Sequence, residues 1–438
     1  MRSITLSKTV PVVGEYDVVV CGGGPAGFIA AISAARMGCR TALVERLGFL
    51  GGTATAGLVI PISGFYHNEK QVIGSIPWEF IQRMEELGGA VVELPKGHIS
   101  ANIELYKLIA QRMVQEAGVT LYTNAYLSHC DLAEGEIRHI FIESKNGTEA
   151  ISARCFIDAT GDGDLCRMAG VPMQEQTEMQ PLSLCFVLEG VDVRTPLLRD
   201  SIHHDGKGGK PSANAEIRAY LLECVHQGKL RQFGGPWFNT LVYGGGIAVN
   251  VTRSAGDGAD RKSMTLAELQ LREDMFTIVS LLKEKYVEFR NCSIVTSGVN
   301  AGIRETRRIQ GLYTLTGSDL MEGREFTCPV ARCAHPMDIH SAASSRQTLM
   351  RLEKPAYIPH NALIPKHVTN LIAAGRCISA DREALASLRV QGTLMSVGEG
   401  AGILGALACK NNCKVYDVSE EQLKYELNKR NLVLRTIF

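Results

Sequence analysis

The 438-residue chain has a composition typical of a folded globular protein, with 45% hydrophobic and 21% charged residues. Its length exceeds that of a usual single hydrophobic core, so we expect two closely joined domains. Lysine and arginine together number 46, and aspartate and glutamate together also number 46. This balance gives no overall basic field, so we expect neither nucleic acid nor a membrane surface as a partner.

The sequence predicts a cytoplasmic protein. No apolar run approaches the ~20 residues that span a bilayer, and the N-terminal segment lacks the charged and long apolar regions of a signal peptide. The 13 cysteines are scattered, lie mostly within apolar runs and form no CxxC pair. We therefore expect reduced, buried thiols rather than a disulfide framework or an iron–sulfur site.

Residues 16–45 carry the most informative pattern. Apolar residues 17–21 predict a buried strand, a helix of small residues ends near Gly38, and residues 41–44 predict a second strand that stops at Glu45. The turn between strand and helix has GxGxxG spacing and contains Gly22, Gly24, Pro25, Ala26 and Gly27. This order predicts a dinucleotide site, with the pyrophosphate at the helix start and the ribose on Glu45. The pattern does not choose between FAD and NAD.

A second glycine-rich segment, residues 46–60, follows directly and includes Gly51, Gly52 and Thr53. Such a segment suits a backbone loop that lies against a flat ligand, and the alternative is an ordinary glycine loop. Further along, a predicted strand over residues 149–157 runs into Ala159, Thr160, Gly161 and Asp162. Small residues and an acid there mark the carboxyl edge of a sheet, where α/β folds bind ligands. The rest of a calcium loop is missing, so we expect no metal site.

Other segments have clear periodicity or end signals. Helices are predicted over residues 76–87, 104–117, 266–289, 390–408 and 418–429, with Asn102 and Ser419 as N-caps. Strands are predicted over residues 120–122, 125–130, 137–143, 182–190, 245–252 and 370–374, with a hairpin turn at Asn146-Gly147.

The elements predict an α/β fold class. We expect a Rossmann-like, doubly wound sheet that binds the dinucleotide coenzyme and is assembled from discontinuous pieces of the chain, with an inserted α+β substrate domain. The corresponding boundaries are residues 1–172 and 356–438 for the coenzyme domain and 173–355 for the insertion. No second Rossmann unit is visible, and so no dedicated NAD(P)H domain.

Several motifs together resemble a known family. The glycine turn, Glu45, the loop at 51–53, the ATGD turn and the strand ending in Gly375-Arg376 occur in the order found in FAD-binding flavoproteins. Residues 302–311 (GIRETRRIQG), with residues 338–340 (DIH) and 387–393 (SLRVQGT), resemble the bacterial FAD-dependent oxidoreductase family marked by G-x-R-E-[ST]-R. The layout is more distantly similar to fumarate-reductase and succinate-dehydrogenase flavoproteins. Their covalent-FAD histidine has no clear counterpart, so the resemblance implies non-covalent FAD.

This resemblance implies positions for the cofactor contacts. The pyrophosphate would lie at the glycine turn, the adenosine end near Glu45, Arg46 and Ala125, and the ribitol and flavin near Gly51 to Thr53. The remaining implied contacts are Thr160, Gly161 and Asp162 near the middle of the coenzyme, Gly375 and Arg376 at the ribitol, and Gln391 and Gly392 at the flavin pyrimidine ring. A helix beginning there would stabilise negative charge on the reduced flavin.

Four residues are candidates for chemistry beside the flavin. Arg304 or Arg307 would clamp an anionic substrate, since arginine binds carboxylates in a bidentate manner. The alternative is an internal Arg–Glu network, with Glu305 and neighbouring arginines joining the domains. His340 would exchange a proton or, alternatively, serve as a structural histidine. Arg389 precedes the flavin-facing helix and would reach substrate or pyrimidine.

These observations predict an FAD-dependent oxidoreductase that moves a hydride between flavin N5 and a small organic substrate, an anionic one if an arginine clamps it. Two rival functions stay open. One is a flavin-bearing electron-transfer or sensor subunit that works with a partner protein. The other is an NAD-binding module without redox chemistry. We expect a small-molecule substrate and either a redox partner or a homo-oligomer.

Overall fold

A computed structural model describes residues 3–5, 7–93, 97–176, 178–199, 202–203, 214–242 and 246–431. The helices are α1 (Pro25–Arg36), α2 (Ser75–Glu86), α3 (Ile103–Glu116), α4 (Asp164–Met168), α5 (Pro196–Arg199), α6 (Ala215–His226), α7 (Arg261–Lys285), α8 (Gly317–Glu322), α9 (Arg382–Leu388), α10 (Gln391–Asn411) and α11 (Glu420–Lys429). Short 3-10 turns occupy Val287–Phe289, His360–Ala362 and Val415–Asp417.

The strands form one large sheet, a second sheet and several two-stranded pairs. They are β1 (Val12–Cys21), β2 (Thr41–Val44), β3 (Tyr66–His67), β4 (Lys70–Gln71), β5 (Ala90–Glu93), β6 (His98–Ala101), β7 (Thr120–Tyr122), β8 (Tyr126–Ala133), β9 (Glu136–Ser144), β10 (Gly147–Asp158), β11 (Phe186–Glu189), β12 (Ile202–His203), β13 (Phe233–Thr240), β14 (Ile247–Thr252), β15 (Ser293–Ser297), β16 (Pro329–Cys333), β17 (Met337–His340), β18 (Gln347–Met350), β19 (Ala356–Pro359) and β20 (Leu371–Ala373).

The large sheet has the order β7-β2-β1-β10-β9-β8, with β20 also paired to β10. Strand β1 is parallel to both β2 and β10, and β20 is parallel to β10, so four strand ends point to one edge. The apolar residues at the end of β1 are fully buried, as expected for a central parallel strand. The predicted mixed α/β fold with a Rossmann-like parallel sheet is therefore confirmed.

Helices α1 and α10 pack against this sheet and against each other at close range. A Cβ atom added at Gly398 would lie 2.1 Å from the carbonyl oxygen of Ala26, and one added at Gly402 would lie 2.4 Å from that of Ala30. Only glycines allow the two backbones to approach this closely. Sequence pieces some 370 residues apart thus share one core, as the predicted discontinuous sheet requires.

The second sheet has the order β12-β13-β14-β11-β15 and a hydrophobic core of its own. That core draws its buried side chains from Leu182 to Ala301, whereas apolar residues from Ile309 to Leu427 belong to the core of the large sheet. The division of the chain after residues 172 and 355 stays a prediction.

Most of the predicted elements are present with small changes of boundary. Asn102 accepts hydrogen bonds from the N–H groups of Glu104 and Leu105, and Ser419 accepts one from Gln422, so both predicted N-caps are confirmed. The strand predicted over 245–252 is β14, and residue 245 lies outside the described residues. All 13 cysteines are free thiols and all but Cys413 are buried, as predicted.

Helix α10 alone, within the described segments, is long and apolar enough to cross a membrane. This helix departs from the expectation that no apolar run is long enough to span a bilayer. Every residue of its apolar window is buried inside the protein, which is the position of a core helix.

Candidate active site

A cavity of about 840 Å³ opens at the edge where the parallel strands end. Strand β1 leads into Gly22, β2 into Glu45, β10 into Ala159 and β20 into Gly375, and all four residues line the cavity. Ligands of open α/β sheets bind at this edge.

The glycine turn shapes one end of the cavity. Gly22 has a φ of +102°, and a Cβ atom there would lie 2.4 Å from the carbonyl oxygen of Ala159. At Gly27 a Cβ atom would lie 1.7 Å from the Gly22 carbonyl oxygen, so this glycine brings α1 close to the turn and does not line the cavity. Gly24, the N-cap of α1, has no neighbour within 4 Å of an added Cβ except Gly52 at 4.0 Å. Gly24, Pro25 and Ala26 line the cavity, so the start of α1 borders open space that suits a phosphate.

Glu45 stands beside this turn and is only 7% exposed. Its Oε2 accepts a hydrogen bond from the Gly23 N–H over 2.6 Å, and its Oε1 accepts one from the Leu47 N–H over 2.8 Å. Burial raises the pKa of this carboxyl group, although the backbone donors oppose the effect. Glu45 and Arg46 both line the cavity, where a ribose would meet them.

The second glycine segment lies directly against the first. The Gly51 N–H donates to the Gly23 carbonyl over 2.9 Å, and a Cβ atom at Gly52 would lie 2.9 Å from Cα of Gly24. Gly52 and Thr53 line the cavity, while Gly51 lies behind them. The loop thus packs along the cavity, as the sequence analysis proposed for a loop against a flat ligand.

The ATGD turn is organised by a buried aspartate, Asp158. Its Oδ1 accepts from the N–H and the hydroxyl of Thr160, over 3.1 and 2.7 Å. Asp162 in turn pairs with Arg376, since Nη2 lies 2.6 Å from Oδ1, and also accepts from the Thr306 hydroxyl over 2.6 Å. The cavity lining includes Thr160, Gly161, Asp162, Gly375 and Arg376.

Helix α10 begins at the opposite end of the cavity. Gln391 lines the wall there and donates from Nε2 to the Val59 carbonyl over 2.8 Å, while its Oε1 is buried without a partner in the described parts of the chain. Gly392 packs on Phe65 and does not reach the cavity. Ala125, predicted near the adenine, is also outside the lining, and its N–H donates to the Glu45 carbonyl over 3.1 Å. The two helix starts, the ribose acid and the unpartnered amide oxygen together fit an extended dinucleotide such as FAD.

The charged cluster at residues 304–308 divides into two parts. Glu305 is 1% exposed and pairs with Arg308, with 2.5 Å between Oε1 and Nη1, while Arg307 pairs with Asp164 over 3.1 Å outside the cavity lining. These contacts match the internal network that the sequence analysis kept as an alternative. Arg304 alone among the cluster lines the cavity.

Arg304 is held by neutral groups. Its Nη1 donates to the Pro181 carbonyl and to the Ser183 hydroxyl, each over 2.7 Å. Across the described ranges it forms no ion pair with a carboxylate. Burial, and then the nearby Arg389, lower the pKa of its guanidinium to about 10. The charge of Asp338 opposes this shift in the pKa without forming an ion pair with Arg304.

His340 lies in the cavity wall between an acid and an arginine. Its Nε2 is 2.9 Å from Oδ2 of Asp338, and its Nδ1 is 2.7 Å from Nη2 of Arg253. Because a guanidinium can only donate, Nδ1 must accept and Nε2 must carry the proton. Burial, and then the charge of Arg304, lower the pKa of His340 to about 3. Arg389 also lines the cavity and donates to the Asp338 carbonyl over 2.9 Å.

The sequence analysis missed several cavity residues of the second sheet. Trp237 and Asn239 on β13 and Asn250 on β14 line the cavity, and Arg253 stands just behind His340. The alternation of Trp237 and Asn239 within β13 is a period-two signal that could have located them. The sequence did not predict this strand because Gly-Gly-Pro near its start is untypical of a strand interior.

The family model for FAD dependent oxidoreductases matches residues 17–427. Among curated proteins, digeranylgeranylglycerophospholipid reductase 2 of Methanopyrus kandleri is 29% identical over 191 residues, which cover 41% of this chain and 46% of that protein. Dihydrolipoyl dehydrogenase of Trypanosoma brucei brucei is 51% identical over 60 residues, 14% of this chain and 12% of that protein. The chain thus matches less than half the length of these curated relatives.

Solved structures align over most of the chain at low identity. A geranylgeranyl bacteriochlorophyll reductase-like protein of Thermoplasma acidophilum is 14% identical with a TM-score of 0.46, covering 96% of this chain and 84% of that one. A myxobacterial chondrochloren halogenase is 14% identical with a TM-score of 0.48, covering 95% and 79%. Because the family model spans nearly all of the chain, this protein belongs to the FAD dependent oxidoreductase family, and its cofactor is FAD.

Proposed function

We propose that this enzyme oxidises or reduces a small organic anion that Arg304 holds in the cavity. FAD, when bound, supplies the redox chemistry by exchanging a hydride with the substrate at N5. The observation that carries the proposal is the partly buried Arg304, which lines the cavity and forms no ion pair with a carboxylate in the described ranges.

The energetics of a partly buried guanidinium that lines a cavity favour an anionic ligand. A charge removed from water is stable only when it is paired and hydrogen-bonded, and the neutral partners of Arg304 supply bonds but no counter-charge. A substrate carboxylate would complete the pair with charge-assisted hydrogen bonds. The two other arginines of the sequence analysis have partners already, because Arg389 lies 3.4 Å from Oδ2 of Asp338 and Arg307 pairs with Asp164.

We retain His340 as the candidate for proton exchange. Its lone pair on Nδ1 accepts from Arg253, so exchange at this atom requires that the hydrogen bond opens. Arg389 donates to the same carboxylate oxygen of Asp338 that contacts Nε2 of His340. Arg307, which is outside the cavity lining, would act only by holding Asp164.

We propose non-covalent FAD, bound by the residues that the family resemblance indicates. Gly22, Gly24 and the start of α1 would hold the pyrophosphate, and Glu45 the ribose. The start of α10 would face the flavin. We further propose the branch of the family marked by G-x-R-E-[ST]-R, a cytoplasmic location, and either a redox partner or a homo-oligomer.

The test is an anaerobic screen of carboxylic acids and their neutral amides, in which reduction of the flavin is measured as the loss of its absorbance at ~450 nm. Acids that bleach wild-type protein should bleach Arg304→Gln at least about tenfold more slowly at low concentration, since a charged hydrogen bond is lost. The control is Arg272→Gln, an exposed arginine on α7 that pairs with Glu268. Equal rates in Arg304→Gln and wild type would overturn the assignment.

A further inference from the structure

The second sheet has two chemically different faces. On one face, Phe186, Phe238 and Val249 are buried in the second hydrophobic core. On the other, Cys185, Trp237, Asn239 and Asn250 line the cavity. Side chains alternate between the faces of a strand, so β13 and β14 each contribute to both, while Cys185 directly precedes β11. The cavity therefore has a roof that carries amide side chains and an indole ring instead of aliphatic ones.

Asn239 is the informative member of this roof. It is 4% exposed and lines the cavity, and its Oδ1 is buried without a hydrogen-bond partner in the described parts of the chain. A buried polar atom without a partner is costly, and buried amides in folded proteins are almost always satisfied. A ligand group that donates a hydrogen bond, such as a hydroxyl, would satisfy this oxygen.

Asn250 and Asn239 lie at increasing distance from Arg304 along strands β14 and β13. Arg304 bonds Ser183, whose hydroxyl donates to the Thr252 carbonyl at the end of β14. Asn250 lies two residues earlier on β14, about 7 Å along a strand, and faces Trp237 on β13. Asn239 is two residues further along β13. A cation is thus followed by two amides on one wall of one cavity.

We infer that the substrate is a hydroxylated carboxylate of the size of a sugar acid, whose carboxylate binds Arg304 and whose hydroxyl groups bind Asn239 and Asn250. This inference rests on the proposed function and specifies its substrate class. An aliphatic chain in the same place would leave the amide of Asn239 without a partner, and a site with such a group rejects ligands that lack the matching hydroxyl.

The experiment compares ligands that differ in one feature. Binding to the FAD-loaded protein is measured by calorimetry for three sugar acids, D-gluconate, D-glucuronate and D-galacturonate. The analogues without hydroxyls are hexanoate and cyclohexanecarboxylate, and the analogues without a carboxylate are D-glucitol and D-glucose. The protein variants are Asn239→Leu, Arg304→Gln and, as a control, Asn291→Leu at an exposed position.

We expect at least one sugar acid to bind at least about tenfold more tightly than its analogue without hydroxyls. Asn239→Leu should abolish that difference without lowering the thermal stability, since an unsatisfied polar group is replaced by an apolar one of similar shape. Asn291→Leu should behave as wild type.

Failure takes two distinguishable forms. If no sugar acid binds, or if hexanoate and cyclohexanecarboxylate bind as tightly as the sugar acids and Asn239→Leu changes nothing, the hydroxyl inference is overturned. If glucitol or glucose binds as tightly as the acids, and Arg304→Gln has no effect on either, the anionic substrate of the proposed function fails instead.

Discussion

Arg253 donates from Nη2 to Nδ1 of His340 over 2.7 Å, and this contact fixes which ring nitrogen of the histidine carries the proton. Arg253 itself is 1% exposed, and a Cβ atom at Gly234 would lie 1.8 Å from its Nε. The arginine thus occupies a space that only a glycine at position 234 provides.

The first prediction concerns the tautomer of His340. In wild-type protein the imidazole should stay neutral with the proton on Nε2 from pH 8 to pH 5, because its pKa is lowered to about 3. Arg253→Met removes the donor to Nδ1, so the pKa should rise and a second tautomer should appear. Nitrogen-15 NMR of labelled histidine measures both. Gly234→Ala should act in the same direction by displacing Arg253, and an unchanged spectrum in both variants would refute the role of this contact.

The two glycines of the first turn should respond differently to alanine. Gly24→Ala adds a methyl group in open space at a φ of −69°, so folding should be retained while FAD occupancy falls. Gly27→Ala places a Cβ atom 1.7 Å from the Gly22 carbonyl oxygen and should lower the melting temperature itself. The ratio of absorbance at about 450 nm to protein absorbance, with a thermal melt, separates the effects. Full FAD occupancy in Gly24→Ala would contradict the proposed pyrophosphate position.

Glu399 gives a prediction about pH. It is fully buried in α10, bonds the Ser75 hydroxyl and the Ile76 N–H, and burial raises its pKa to about 7. The folded state binds this proton more tightly than the unfolded state, so the stabilisation is complete below pH 4.5 and is lost as the pH rises through 7. Glu399→Gln should therefore gain stability relative to wild type between pH 5 and 8, by up to about 3 kcal/mol. Denaturant unfolding at pH 5 and at pH 8 measures the difference in the free energy of unfolding between Glu399→Gln and wild type. A difference that does not change with pH would contradict the raised pKa of Glu399.

The arginines next to Arg304 should prove structural. Arg308→Met removes the ion-pair partner at 2.5 Å from the buried Glu305, leaving the Gln180 N–H at 3.2 Å and Arg382 at 3.9 Å, and should lower the free energy of unfolding by about 3–5 kcal/mol. Arg307→Met breaks a partly exposed pair with Asp164 and should cost less than about 1 kcal/mol. Chemical denaturation of the two variants makes the comparison. Equal losses would show that the network is not built around Glu305.

Local signals in the sequence located part of the cavity lining, including Gly22, Gly24 and Glu45, and their coenzyme contacts stay predictions. The glycine spacing, Glu45 and the N-cap at Asn102 depend on residues a few positions apart, so the pattern alone locates them. The turn at Asp162 was also visible, but its partner Arg376 lies 214 positions away and became apparent only in the fold.

The substrate end depends on contacts that no local pattern encodes. Arg253 and His340 are 87 positions apart, and the sequence gives no reason to single out an arginine at the end of β14. The sequence analysis could not separate Arg304 from Arg307 either. Their difference arises because one side chain faces the cavity and the other faces Asp164.

The role of Arg304 is tested most sharply by the dissociation constants of a carboxylic acid that reduces the flavin and of the neutral amide of that acid. Both constants are measured for wild type and for Arg304→Gln. Wild type should prefer the acid by at least about tenfold, and Arg304→Gln should lose that preference, because the charge-assisted bond to the carboxylate is gone. If the variant keeps the full preference for the acid, Arg304 does not hold the substrate and the central claim is wrong.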